Sequence, residues 1–342
     1  DARHHRLELK ASSPSGLFYG FQTFRQLCPS ELEKGELPEN TRIQNCKIVD
    51  SPTFGYRGMH LDVSRHFFDV DFIKTYIDMI ALHKMNVFHW HLTDDNGWRI
   101  EIKKYPELTE KSAWRVDRTY EPWKEWSPIQ PGEKASYGGY YTQDEIREVI
   151  QYASDQNIMV IPEIEMPGHT SEVFAAFPNL SCKGDTLPVN PGSYWPNEDI
   201  FCAGNEDVFV FLENVLGEIV ELFPGPYVHI GGDEAHKINW EQCPKCQKRI
   251  QDEGLKNEHE LQSYFIKRIE KFILSKNKKL VGWDEILEGG LAPSATVMSW
   301  RGMKGGIESA TAGHDGIMCL SLILISEPTR RYALTYAVFF LK

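Results

Sequence analysis

The run "YVHIGGDEAHKINW", Tyr227 to Trp240, ends a short apolar stretch at two glycines and then sets two carboxylates, Asp233 and Glu234, side by side. An arbitrary Asp-Glu pair is usually a solvated piece of loop, but the preceding glycines and the strand-end position argue otherwise here. Adjacent carboxylates that share a dry site raise one another's pKa. One can keep its proton and act as a general acid while its neighbour stays charged. That division of labour suits cleavage of a glycosidic bond. Ordinary retaining glycosidases hold a carboxylate nucleophile about 5 Å from the acid, across the sugar, and neighbouring residues do not naturally flank a ring. The pair fits substrate assistance better. There a 2-acetamido group attacks the anomeric carbon, one carboxylate orients and stabilises it, and the other serves as acid and base. A rival chemistry lies at His89 and His91 in "FHWH". Alternate strand residues share a face, so these two have the HxH spacing of a metal-dependent amidohydrolase barrel. No later histidines complete a ligand set for it.

The elements that must carry these residues alternate from about residue 56 onward. "YRGMHLDVS", "NVFHWHLT", "IMVIPEIEM", "YVHIGG", "KKLVGWDEI", "ATVMSWRG" and "GIMCL" read as strands. Amphipathic helical patterns separate them. One, "TQDEIREVIQYASDQN", opens with Thr142 and Glu145 in capping-box spacing. Such alternation implies parallel pairing through right-handed crossovers. Polar or aromatic residues follow successive strand runs: Arg65, Asp94, His169, Asp233, Trp283 and Trp300. In a (β/α)₈ barrel those positions converge on the face that carries active sites. A doubly wound sheet would gather its site at a Gly-rich phosphate turn, and the chain has none. The fold class is therefore α/β, a TIM barrel over residues 51–320. Residues 1–50 stand outside the rhythm. A strand-like "RLELKAS" and a helical "GLFYGFQTFRQLCP" read there as the remnant of a small α+β domain.

Composition narrows the partners. The 342 residues are 41% hydrophobic, enough for a sizeable core, and carry a net charge of −12 with no basic block. A nucleic-acid footprint is thus missing. No apolar run reaches the roughly 18 residues needed to span a bilayer. "DARHHRLELK" has no signal-peptide pattern, so any such segment lies outside this chain. Among seven cysteines, Cys182 and Cys202 bracket a Pro/Gly/Asn-rich excursion. A disulfide there would suit a secreted, periplasmic or lysosome-like compartment and contribute about 3 kcal/mol. Cys243 and Cys246 form a lone CxxC. A structural zinc needs four ligands, and no second pair stands at a suitable spacing, so a local structural role is the better reading.

Taken in order, "RGMHLDVSRHF", "FHWHLTDDNGWRIEI", "IPEIEMPGH", "HIGGDEA", "GWDEI" and "SWRG" resemble the motifs of the glycoside hydrolase family 20 β-N-acetylhexosaminidases. The resemblance covers roughly residues 15 to 318. It implies a barrel behind a small α+β domain and retaining, acetamido-assisted release of terminal β-linked N-acetylglucosamine or N-acetylgalactosamine from oligosaccharides and glycoconjugates. It implies no metal or other cofactor. Residue by residue, it makes Glu234 the acid/base and Asp233 the support of the acetamido group. Arg65 would grip sugar hydroxyls, and Asp94 with His169 would back the acid/base. Trp283 and Trp300 would wall the acetamido pocket, although barrel-core packing suits bare tryptophans there equally well. A catalytically impaired sugar-binding barrel is the remaining alternative.

After "GIMCL" the resemblance stops, and residues 321–342 form a non-matching tail. No role is carried over to Tyr332 or Tyr336. The tail is too short for the rest of a seventh unit plus a strand–helix eighth. An unpaired edge is therefore expected between the last and first strands, with poor solubility or oligomerisation and little or no activity of this chain as its consequence.

Overall fold

A computed structural model describes residues 6–36, 39, 42–121, 126–192, 197–319 and 338–341; Tyr332 and Tyr336 lie outside the described residues. Eight strands form the barrel: β1 (Arg57–Asp62), β2 (Val87–His91), β3 (Met159–Glu163), β4 (Tyr227–His229), β5 (Lys279–Trp283), β6 (Thr296–Ser299), β7 (Gly316–Met318) and β8 (Val338–Leu341). The first seven fall within the seven apolar runs and pair in parallel. The barrel is closed, because β8 lies between β7 and β1. It runs antiparallel to both, with Gly58 opposite Val338 and Ile317 opposite Phe340. The unpaired edge expected of an incomplete barrel is therefore not there, and the expectation of poor solubility loses its premise. A parallel return needs a crossover of a dozen or more residues, whereas an antiparallel one does not. Seven parallel strands leave two open ladders that a single extended segment can satisfy.

The helices form where caps and spacing dictate. In α1 (Pro14–Leu27) Ser13 is the N-cap and accepts from the Gly16 N–H. The preceding Leu7 to Ala11 are coil, so the strand expected there does not form. Asp69 caps α2 (Val70–Leu82), which buries Ile73, Ile77, Ile80 and Ala81 on one stripe. Thr142 and Glu145 complete a reciprocal capping box at the start of α3 (Gln143–Asp155). The longer helices that follow are α4 (Glu206–Leu222), α5 (Pro244–Asp252), α6 (Glu258–Ser275) and α7 (Met303–Thr311). No helix of the described residues is long and apolar enough to cross a membrane.

Strand alternation sorts the core into two. Phe88 and Trp90 of β2 point outward into the large cluster beneath the helices. Val87 points inward with Tyr56, Ile161, Val281 and Met298. His89 shares the inward face and meets His60, His229 and Trp283. The barrel is thus apolar at its lower end and polar toward the mouth. Cys182 and Cys202 are both free, so the loop staple expected from their spacing is absent.

The capping box gives a first prediction. Thr142→Ala removes the side-chain acceptor for the Glu145 N–H and should cost about 1 kcal/mol. The urea midpoint should fall with little change in slope, and Thr142→Ser should stay near wild type. Equal midpoints for Thr142→Ala and wild type would show that the box contributes nothing.

Candidate active site

The carboxylate pair stands on a turn that only glycines can make. After β4 the backbone takes φ of +66° at Gly231 and +90° at Gly232. A Cβ on Gly231 would lie 1.7 Å from Glu165 Oε2, and one on Gly232 would lie 2.6 Å from Ile286 Cγ2. Glu234 itself has φ of +41°, a conformation seldom seen outside glycine and costing of order 1–3 kcal/mol. The turn leaves the Asp233 side chain 16% exposed and that of Glu234 38% exposed.

The loop after β3 meets this turn. Gly168 approaches so closely that a Cβ would sit 3.1 Å from both the Ala235 Cα and the Asp233 carbonyl oxygen. The next residue, His169, also has positive φ, +53°, and its buried ring fills the space between two pairs of acids. Its Nε2 lies 3.4 Å from Asp233 Oδ2 and 3.3 Å from Glu234 Oε2. Its Nδ1 lies 3.2 Å from Asp94 Oδ1 and 3.3 Å from Asp95 Oδ2. A neutral imidazole has one N–H and could donate to one side only, whereas the cation has two. Burial favours the neutral ring, but the charges of Asp94 and Asp233 outweigh it and raise the His169 pKa well above the ordinary value.

Asp94 shows the reciprocal effect. Burial would raise its pKa, yet Arg65 and His169 hold it well below the usual carboxylate range. Arg65 pairs directly with Asp94 through Nη1 and lies 3.2 Å from Asp62 Oδ2. Burial raises the Asp233 pKa, with His169 opposing. Arg65, Asp94, His169, Asp233 and Glu234 are thus brought together in one chain of charge contacts.

The tryptophans separate. Trp300 is half-buried, and its indole N–H donates to Glu285 Oε2 at 3.0 Å. Burial, with Asp233 nearby, pushes the Glu285 carboxyl up to about 8. Trp283 is 6% exposed and donates to Glu163 Oε1 at 2.7 Å. It packs edge-on to His229 inside the barrel, the core placement that its position also allowed. Sequence reading passed over Asp95, Glu163, Glu165 and Glu285. Glu163 and Glu165 alternate in "IPEIEM" and so share the inward face with His89 and His91; that period-2 spacing was the available signal.

His89 and His91 do not act as one pair. His89 Nε2 lies 2.8 Å from Glu163 Oε2, and burial lowers its pKa to about 3. His91 Nε2 instead lies 3.3 Å from both Asp94 Oδ2 and Glu165 Oε1. His89 groups with His60 and Glu163, and His91 with Glu163 and Glu165. His91 thus ties Glu163 and Glu165 to Asp94 at the mouth, whereas His89 meets Glu163 deeper in the barrel.

A proton held above the unfolded-state value of about 6.5 stabilises the fold below that pH. The contribution fades as pH rises through the folded-state pKa. Nitrogen–proton NMR at about pH 8, where a free histidine has lost its proton, should therefore show both ring N–H groups of His169. A neutral ring at that pH would contradict the arrangement.

The sequence matches the model of the glycosyl hydrolase family 20 catalytic domain over residues 54–325. It is 52% identical over 308 residues to a β-hexosaminidase of Porphyromonas gingivalis, covering 90% of this chain and 38% of that protein. A β-hexosaminidase of Vibrio furnissii is 38% identical over 314 residues, covering 91% and 49%. The solved structure of a family 20 exo-β-N-acetylglucosaminidase from Vibrio harveyi, in complex with N-acetylglucosamine, superposes with a TM-score of 0.76. Its identity is 35%, over 90% of this chain and 47% of that one. A β-N-acetylhexosaminidase structure from Bacteroides fragilis gives 0.73 at 36%, covering 90% and 57%. The chain spans about half, or less, of the length of these two curated relatives. These matches favour glycoside chemistry over the amidohydrolase reading of His89 and His91. The family model runs from just before β1 to just past β7, and the chain belongs to glycoside hydrolase family 20.

Proposed function

We propose that the protein releases terminal, non-reducing β-linked N-acetylglucosamine or N-acetylgalactosamine from oligosaccharides and glycoconjugates, with retention, through participation of the 2-acetamido group. The observation that carries this reading is that Asp233 and Glu234 both meet the same nitrogen of His169. Adjacent carboxylates that lean on one partner do not naturally flank a sugar ring, so a nucleophile carried by the substrate suits the site better than either of them.

The acetamido oxygen attacks the anomeric carbon while its N–H donates to Asp233, whose charge supports the oxazolinium ion as it forms. Glu234, the more exposed of the two, gives its proton to the leaving oxygen as the glycosidic bond breaks. The resulting carboxylate takes a proton from the water that opens the oxazolinium ring from the original face, which restores the β configuration. His169, held by Asp94, gives the pair a fixed cation to lean on. Arg65, oriented by Asp62 and Asp94, offers its remaining donors to sugar hydroxyls.

Leaving-group dependence separates the two acids. Glu234→Gln should slow alkyl and sugar leaving groups by about 10²–10⁴-fold and activated aryl glycosides far less, since only the former need a proton donor. Asp233→Asn should slow both classes alike. Equal losses across leaving groups for Glu234→Gln would sink the assignment.

A further inference from the structure

Away from the carboxylates, four cysteines from distant parts of the chain meet at one point. Sγ of Cys182 lies 3.8 Å from that of Cys246. Cys202 Sγ lies 3.7 Å from Cys243 and 3.6 Å from Cys246. All four sulfurs lie within 4.8 Å of one another, and three of the four residues are buried. A disulfide holds its sulfurs at about 2.05 Å, much closer than these contacts. Four thiolates at about 2.3 Å from a tetrahedral ion stand about 3.8 Å apart. We propose that Cys182, Cys202, Cys243 and Cys246 form a structural zinc site that joins the loop after β3 to the segment after β4.

The local backbone is built for that junction. Cys243 is the N-cap of α5, Pro244 follows at its first position, and Cys246 lies in its first turn. The unpaired N–H groups of a helix start favour thiolate over thiol. The other two ligands come together because Ser181 and Phe201 form an antiparallel bridge. The Cys202 N–H closes that bridge on the Leu180 carbonyl at 2.9 Å. The two halves then pack at Gly204, where a Cβ would sit 2.1 Å from the Lys245 carbonyl carbon and 2.4 Å from the Cys246 nitrogen. Only glycine permits the approach. Alongside, the Trp240 indole N–H donates to the Phe201 carbonyl at 2.8 Å.

The chemistry selects the ion. Four thiolates packed this closely would repel one another without a cation between them, and soft sulfur ligands in a tetrahedron favour zinc over hard cations. The position also gives the ion a task. The loop after β3 carries His169, and the segment after β4 carries Asp233 and Glu234. A clamp across both would fix the spacing at which the imidazole meets the two acids. The second cysteine pair has no CxxC spacing, which is why the sequence showed only half of the site.

Elemental analysis of the protein purified under reducing conditions without added metal tests this. About one zinc per chain is expected. Replacement by Co²⁺ should produce thiolate-to-cobalt charge transfer together with the visible bands of a tetrahedral ion. Cys182→Ser, at the least buried of the four, should lose most of the zinc and lower the melting temperature. Should that variant fail to fold, the cobalt spectrum of the unaltered protein still decides. Two disulfides by non-reducing mass analysis would overturn the site. So would a reduced protein that takes up no Co²⁺, or metal that persists in Cys182→Ser without a thiolate band. Each readout is independent of glycoside turnover.

Discussion

One buried imidazole carries the electrostatics of the barrel mouth. His169 stands between Asp94 and Asp95 on one side and Asp233 and Glu234 on the other. Four acids so close would repel strongly, and the protonated ring at their centre, together with Arg65 on Asp94, offsets that repulsion. Removing one partner from a buried ion network of this kind costs about 3–5 kcal/mol, comparable to much of a domain's net stability of about 5–15 kcal/mol. The contact that sets the spacing of the two carboxylates is therefore also one the fold depends on. Arg65 extends the compensation outward through Asp94 and Asp62, so charge balance runs unbroken from the rim to the pair.

Holding that imidazole in place takes an unusual backbone on both sides. Gly231, Gly232 and Glu234 on one loop and His169 on the other all have positive φ. The loops touch where Gly168 rests against Ala235 and the Asp233 carbonyl. Strain of this sort persists only where the surrounding structure over-determines it. Here the barrel does so. Glu165 occupies the space that a side chain at position 231 would need, and β3, β4 and β5 anchor the loop ends through their ladders. Two strand ends supply the positions, and the glycines supply the approach.

Much of this was legible in the sequence, and what was not has identifiable causes. Seven strands stood out because β-branched and aromatic runs alternate with capped helices, as at Thr142 and Glu145. The eighth, Val338–Leu341, escaped because a four-residue, wholly apolar run has no period-2 pattern to mark it as a strand. Asp94, His169, Asp233 and Glu234 could be picked out because each follows a strand. Asp95, Glu163, Glu165 and Glu285 could not, since their importance comes from partners set by tertiary packing. Cys182 and Cys202 suggested a disulfide by spacing alone, and nothing in the spacing told of Cys243 and Cys246 beside them. Trp283 carried two readings, and its bond to Glu163 places it in the barrel interior.

Asp94 is expected to act on Glu234 through His169, so that the three work as one unit. A double-mutant cycle on kcat/KM, using Asp94→Asn and Glu234→Gln with a substrate that needs a proton donor, measures this directly. If the contacts form one unit, Asp94→Asn should cost much less in the Glu234→Gln background than in wild type. The coupling should be on the order of 1–3 kcal/mol. Strictly additive losses would contradict it, because they would mean that Asp94 and Glu234 contribute independently and that His169 connects them in space only.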